Sequence, residues 1–242
     1  MKPPPAPFNP NVHYAIQDQP PQLDTSGIKR RFLDIPYAPV SNAQKLDVYL
    51  PDAGDGPFPV IVSIHGGAFM GCDKGDLQVT PMLEGLKKGF AVVSINYRMS
   101  GEAKFPALVQ DAKAAVRWIR ANASKFYFDP NRIISWGGSA GGYLSSMLAV
   151  TADVNSLEDL NLGNAGYSSC VQAAIVWYGP TNFLKMDDQL AQSGFTAPVE
   201  FRHSTPNSPE SLLLGDLITS VPALVQAANP ETYIGEKIPP ML

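Results

Sequence analysis

The chain has 242 residues, of which 45% are hydrophobic, and a net charge of −4. That length and apolar content suit one α/β domain with a large core and exclude a disordered chain. The acidic balance argues against a nucleic-acid partner, which calls for a basic face, and no apolar run approaches the length of a membrane span.

Residues 1–30, rich in Pro, Gln and Asn, read as an extended arm across the surface, with Phe8, Val12, Tyr14 and Ile16 placed to dock on the domain or to form part of a rim. Met1-Lys2-Pro3-Pro4-Pro5-Ala6-Pro7 holds no apolar h-region, so no signal peptide is expected there. The compartment stays open between the cytoplasm and secretion after signal removal. Arg31-Phe32-Leu33-Asp34-Ile35-Pro36-Tyr37 and Lys45-Leu46-Asp47-Val48-Tyr49-Leu50 alternate with period two, which predicts half-exposed antiparallel strands joined by a turn at 39–44.

The pattern then changes to nearly continuous apolar runs at 60–64, 91–95, 132–136 and 173–177, the mark of parallel strands covered on both faces by helices. Between them, Leu108, Ala112, Ala115, Val116 and Ile119 share one face of a helix predicted over about 106–123, with Pro106 in its first turn. Strands alternating with helices after an antiparallel opening predict an α/β class: a doubly wound, mostly parallel sheet with antiparallel N-terminal strands. From 180 to 229 the strand signal vanishes and prolines divide short helical pieces, such as 211–218 and 221–228. This reads as an excursion over the carboxyl end of the sheet, where open α/β folds bind ligands. Lys237-Ile238-Pro239-Pro240-Met241-Leu242 has the form of a lead-in to another buried strand.

Two segments carry chemistry. Ile133-Ile134-Ser135-Trp136 leads into Gly137-Gly138-Ser139-Ala140-Gly141, a Gly-x-Ser-x-Gly pattern, and an Ala/Leu/Met-rich segment follows. Strand, tight turn and helix would place the Ser139 hydroxyl at an exposed apex over the helix N-terminus and the Ala140 N–H. Downstream of the strand at 60–64 comes His65-Gly66-Gly67-Ala68-Phe69. The Gly66 and Gly67 N–H groups can turn into a cleft and, with Ala140, form an oxyanion hole for a carbonyl that Ser139 attacks. His65 suits a bracing role in that loop. Phe69, Tyr97 and Tyr178, with Trp177, are candidate walls of a substrate pocket, although each also suits core packing. Cys72 and Cys170 have neither metal-ligand spacing nor a disulfide framework and read as free thiols.

His65-Gly66-Gly67, Asn96-Tyr97-Arg98, Phe105-Pro106-Ala107 and the Gly137–Gly142 run together resemble the α/β-hydrolase esterase/lipase superfamily, in its feruloyl-esterase-like and hormone-sensitive-lipase-like branch. The resemblance covers about residues 30–242. With the arm at 1–30 set apart, it implies a hydrolase domain at 31–242 and a serine carboxylesterase that forms an acyl-enzyme on Ser139. Small or medium acyl esters (acetyl, short-chain or feruloyl) are the implied substrates, with no metal or organic cofactor.

Two departures stand out. Gly179-Pro180-Thr181-Asn182 has Asn where the family often has Asp. The acid and base of the family's Ser-His-Asp triad are expected beyond Leu242, so the 242 residues alone are expected to be nearly inactive, with a homodimer or a separate C-terminal fragment completing the sheet. Within the chain, His203 follows Ser139 with Asp187 and Asp188 between them, but it reads as a surface-loop residue. A non-catalytic binding protein that keeps the pocket is the alternative from another class. A serine peptidase on the same fold is a lesser one, because no gating domain accompanies it.

Overall fold

The apolar runs pair as their patterns dictate. In the computed structural model, which describes residues 21–242 except 196 and 236, the strands are β1 (Arg31–Pro36), β2 (Lys45–Tyr49), β3 (Phe58–Ile64), β4 (Ala91–Ile95), β5 (Phe128–Gly138) and β6 (Ala173–Trp177). They form one sheet in the order β1-β2-β4-β3-β5-β6. The β1–β2 and β2–β4 pairs are antiparallel, whereas β4–β3, β3–β5 and β5–β6 are parallel. This is the mixed α/β sheet that the patterns imply. Most of the predicted arm, including His13, lies outside the described residues. Its last part is tied down, with the Leu23 N–H donating to the Gly75 carbonyl at 2.7 Å.

β4 is buried throughout and β3 nearly so, as continuous apolar runs require. β6 differs, since only Ala174 in it is buried. On its outer side the last residues of the chain run parallel to it, with Ala174 bridged to Met241. The Leu242 N–H donates to the Ala174 carbonyl at 3.0 Å and the Val176 N–H to the Leu242 carbonyl at 2.7 Å. The predicted lead-in to a strand at 237–242 thus joins the sheet.

Helix α1 (Ala107–Ala121) buries the predicted face, but also Asp111, Lys113 and Arg117, all at 0% exposure. Charged groups survive burial only when paired. Asp111 accepts from Arg98 at 2.8 Å and from Gln44 Nε2 at 2.7 Å, and Lys113 and Arg117 converge on Glu158. Helix α2 (Ala140–Val150) is buried on every side, so its sequence shows no polar face.

Among the described residues the excursion holds no strand, and its helices are α3 (Met186–Gln192), α4 (Pro209–Leu214) and α5 (Pro222–Ala228). The helix predicted over 211–218 begins earlier, because the Ser208 hydroxyl caps the Ser211 N–H at 3.1 Å and Pro209 fills the first turn. It ends at Gly215, whose φ is 80°.

Candidate active site

Ser139 sits between β5 and α2 with φ 55° and ψ −121°. A non-glycine residue in such a region costs about 1–3 kcal/mol and persists only where its surroundings over-determine it. Here the Ser139 N–H donates to the Trp177 carbonyl and the Tyr143 N–H to the Ser139 carbonyl, both at 2.9 Å. The close passage of strand and helix also demands the flanking glycines. A Cβ on Gly137 would lie 2.4 Å from the Gly141 carbonyl carbon, and one on Gly141 would lie 2.0 Å from the Ile64 oxygen.

The loop after β3 comes alongside. His65 is buried, its Nδ1–H donates to the Gly66 carbonyl at 2.7 Å, and its ring stacks on Tyr97 with centroids 4.7 Å apart. Burial lowers its pKa and keeps it neutral. The Tyr97 hydroxyl donates to the His65 carbonyl at 2.9 Å. His65 and Tyr97 therefore brace the loop from below. The three predicted oxyanion donors separate: the Gly66 N–H already donates to Gln78 Oε1 at 2.8 Å. Gly67 (φ 114°) and Ala68 (φ 53°) follow it, half-buried. Among the described residues neither of their N–H groups has a backbone acceptor.

Ala68, Phe69, Ser139, Ala140 and Tyr178 line a cavity of about 530 Å³, closed on the far side by excursion residues that include Met186, Gln189, His203 and Glu210. The structure thus brings Ser139, Ala140, Phe69 and Tyr178 together and leaves Gly66, Gly67 and Tyr97 outside the wall. Ala68 joins them unforeseen; its place next after the Gly pair is the available signal. A cavity of similar size lies at the opposite, amino end of β3 and β4, lined by Ile28, Leu50, Leu83 and Leu86 among others, and contains none of the predicted site residues.

His203 is no free surface-loop residue. Its side chain is 27% exposed, its Nδ1 meets Glu210 Oε2 at 2.9 Å, and its backbone N–H donates to Asp187 at 2.8 Å. The Glu210 hydrogen bond raises the imidazole pKa against the opposing effect of burial. Asp187 is engaged by the His203 and Ser204 N–H groups, so the carboxylate beside the His203 ring is Glu210.

The Asn182 departure has a local cause. Its Nδ2 donates to the Glu231 carboxylate, which Lys185 also approaches at 3.3 Å. An Asp at 182 would set a second carboxylate against Glu231, whereas the amide supplies a donor.

Among the described residues, no three of His, Cys, Asp or Glu are grouped so as to hold a metal ion, and no helix is long and apolar enough to cross a membrane.

A mixed sheet with a strained serine between strand and buried helix defines an α/β-hydrolase fold. The chain belongs to the BD-FAE family, whose sequence model matches residues 46–242. It is 30% identical over 212 residues to esterase LipQ of Mycobacterium tuberculosis, covering 86% of this chain and 46% of LipQ. Among solved structures it is similar to a truncated carbohydrate esterase from gut microbiota, with 30% identity, TM-score 0.79, and coverage of 91% of this chain and 78% of that one. The bifunctional GH43-CE protein of Bacteroides eggerthii is 36% identical with TM-score 0.75, covering 87% of this chain and 30% of that one. The chain thus spans about half the length of LipQ.

Proposed function

We propose that the protein hydrolyses small or medium acyl esters through an acyl-enzyme on Ser139. The observation that carries this reading is the φ 55° backbone of Ser139 in the wall of a cavity that Ala68 and Ala140 also line. The esterase relatives support it.

In this reading the Ser139 Oγ attacks the ester carbonyl carbon, and the carbonyl oxygen becomes an oxyanion held by the N–H groups of Ala140, Gly67 and Ala68. Collapse of the tetrahedral intermediate breaks the ester C–O bond and expels the alcohol, which takes up the proton given up by the Ser139 hydroxyl. Water then attacks the acyl carbon, releases the carboxylic acid and returns a proton to the Ser139 Oγ. Gly66 takes no part as a donor, because its N–H is held by Gln78. Glu210 orients His203 as an acid orients a base, but no hydrogen bond joins His203 to Ser139 among the described residues. His203 is therefore assigned to the cavity wall.

The test is p-nitrophenyl acetate hydrolysis together with labelling by a fluorophosphonate probe, in the wild type and in Ser139→Ala. Turnover that is slow, because no base is hydrogen-bonded to Ser139 among the described residues, and a label on Ser139 are expected, both lost in the variant. Equal turnover by Ser139→Ala would overturn the proposal.

A further inference from the structure

We infer that Gln78 is a positioning residue that holds the oxyanion loop in register with Ser139, and that Asp76 decides which end of its amide faces the loop. This rests on the Ser139 reading given above.

Gly66 is wedged between two neighbours. A Cβ there would stand 2.9 Å from the Gly138 carbonyl oxygen and 3.3 Å from the Ser139 Cβ on one side, and 3.1 Å from Gln78 Oε1 on the other. Whatever shifts Gly66 shifts Gly67 and Ala68 against the serine. The only side chain bonded to the Gly66 N–H among the described residues is Gln78, at 2.8 Å.

The amide could face either way on sterics alone, since its O and N ends are nearly the same size. Chemistry decides. Asp76 is fully buried and, as a carboxylate, can only accept. Its Oδ2 takes the Gln78 Nε2 at 3.1 Å and its Oδ1 takes the Gln78 backbone N–H at 2.8 Å, capping the short turn Leu77–Val79. With the NH₂ end committed to Asp76, only the carbonyl end is left for Gly66.

Asp76 is itself anchored. Its Oδ2 accepts the Asp73 N–H at 3.3 Å, and Asp73 Oδ2 accepts from Asn96 Nδ2 at 2.6 Å, just past the end of β4. Asn96 in turn holds the Lys74 N–H at 2.6 Å. A chain of hydrogen bonds therefore runs from the sheet to the loop that carries the oxyanion donors. Gln78 also borders a cavity of about 220 Å³ with Gly138, Trp177 and Tyr178, so its free face lies beside the elbow. Water entering there could satisfy the Gly66 N–H if Gln78 were shortened, but it would not tether the loop.

The experiment is steady-state hydrolysis of p-nitrophenyl acetate by the wild type, Gln78→Ala, Gln78→Glu, Asp76→Asn and the double variant Asp76→Asn/Gln78→Glu, with Ser139→Ala as control and thermal melting to confirm folding. Gln78→Ala should lower kcat about 10–100-fold with KM within about twofold, the range expected when oxyanion donors are misplaced. Gln78→Glu sets a carboxylate against Asp76, and Asp76→Asn frees the amide to turn its NH₂ toward Gly66. Each single variant should lose kcat by a similar factor. In the double variant the carboxylate introduced at position 78 accepts from both the Gly66 N–H and the amide introduced at position 76, whose oxygen keeps the position-78 backbone N–H and gives up only the long 3.3 Å contact with the Asp73 N–H, so kcat should recover to well above either single variant. A merely structural role would give no such rescue. If Ser139→Ala is inactive while folded Gln78 variants keep wild-type kcat, or the double variant is no better than the singles, the Gln78 inference fails and the Ser139 reading stands. If Ser139→Ala keeps its activity, both fail.

Discussion

Glu210 Oε2 holds His203 Nδ1 at 2.9 Å in the wall of the cavity onto which Ser139 opens. The pair joins α4 to the loop before it, and Asp187 at the start of α3 holds the same loop by the His203 and Ser204 N–H groups at 2.8 and 2.9 Å. The excursion over the sheet is thus closed on itself by the side chains of His203, Glu210 and Asp187. His203→Gln is expected to raise KM for p-nitrophenyl esters with kcat within about threefold, because a wall residue contributes to ground and transition states alike. A loss of kcat of about 10³-fold or more would instead make His203 the base.

The same pair sets a pH dependence. Glu210 raises the folded-state pKa of His203 above the ordinary 6.5, while burial opposes it and Asp187 adds to it. Below pH 6.5 the imidazolium is present in both folded and unfolded chains, and the pair contributes fully to stability. That contribution is lost as pH rises through the raised value. The melting temperature of the wild type should exceed that of His203→Gln at about pH 6 and converge on it by about pH 9. The partly exposed setting limits the gap to about 4 °C at most. A gap that grows with pH would refute this.

The elbow makes a steric prediction. Gly141→Ala would drive a methyl to 2.0 Å from the Ile64 oxygen, against main chain that cannot move without opening the β3–β5 pairing. Overpacking of this kind costs at least about 1–3 kcal/mol. The variant should melt several degrees lower and lose fluorophosphonate labelling of Ser139. Unchanged labelling in a folded variant would show that the close passage is not required.

The parts legible in the sequence are those whose causes are local. The strands at 60–64 and 91–95 announce themselves by continuous apolar runs, and the Ser139 turn by glycines spaced two residues on either side. The illegible parts depend on partners far along the chain. The Gly66 N–H reads as free to join an oxyanion hole, because nothing beside it in sequence shows that Gln78 takes it from twelve residues on. His203 reads as loop because no local pattern shows that α4 brings Glu210 to its ring. The start of α4 is within reach: Ser208-Pro209 is a capping signal that helical periodicity alone passes over.

Helix α1 shows the same limit and supplies a sharp test. Lys113 and Arg117 lie on what periodicity assigns to a solvent face, yet both are buried beneath the 158–163 segment, where Lys113 Nζ reaches Glu158 Oε2 at 3.1 Å and Arg117 also meets the same carboxylate. Arg117 further donates to the Gly163 carbonyl at 3.1 Å and the Asp159 carbonyl at 2.7 Å, so it keeps acceptors if Glu158 is changed. Among the described residues Lys113 keeps only the Thr151 carbonyl at 2.6 Å, and burial already lowers its pKa. Removing one member of a buried ion pair leaves charge uncompensated at a cost of about 3–5 kcal/mol. Glu158→Gln should therefore lower unfolding free energy by about that amount in urea titrations without changing the m-value. Adding Lys113→Met to that variant should recover part of the loss, because the residual uncompensated charge is then gone. A Glu158→Gln protein as stable as wild type would show that the two cations are adequately held by the backbone carbonyls alone.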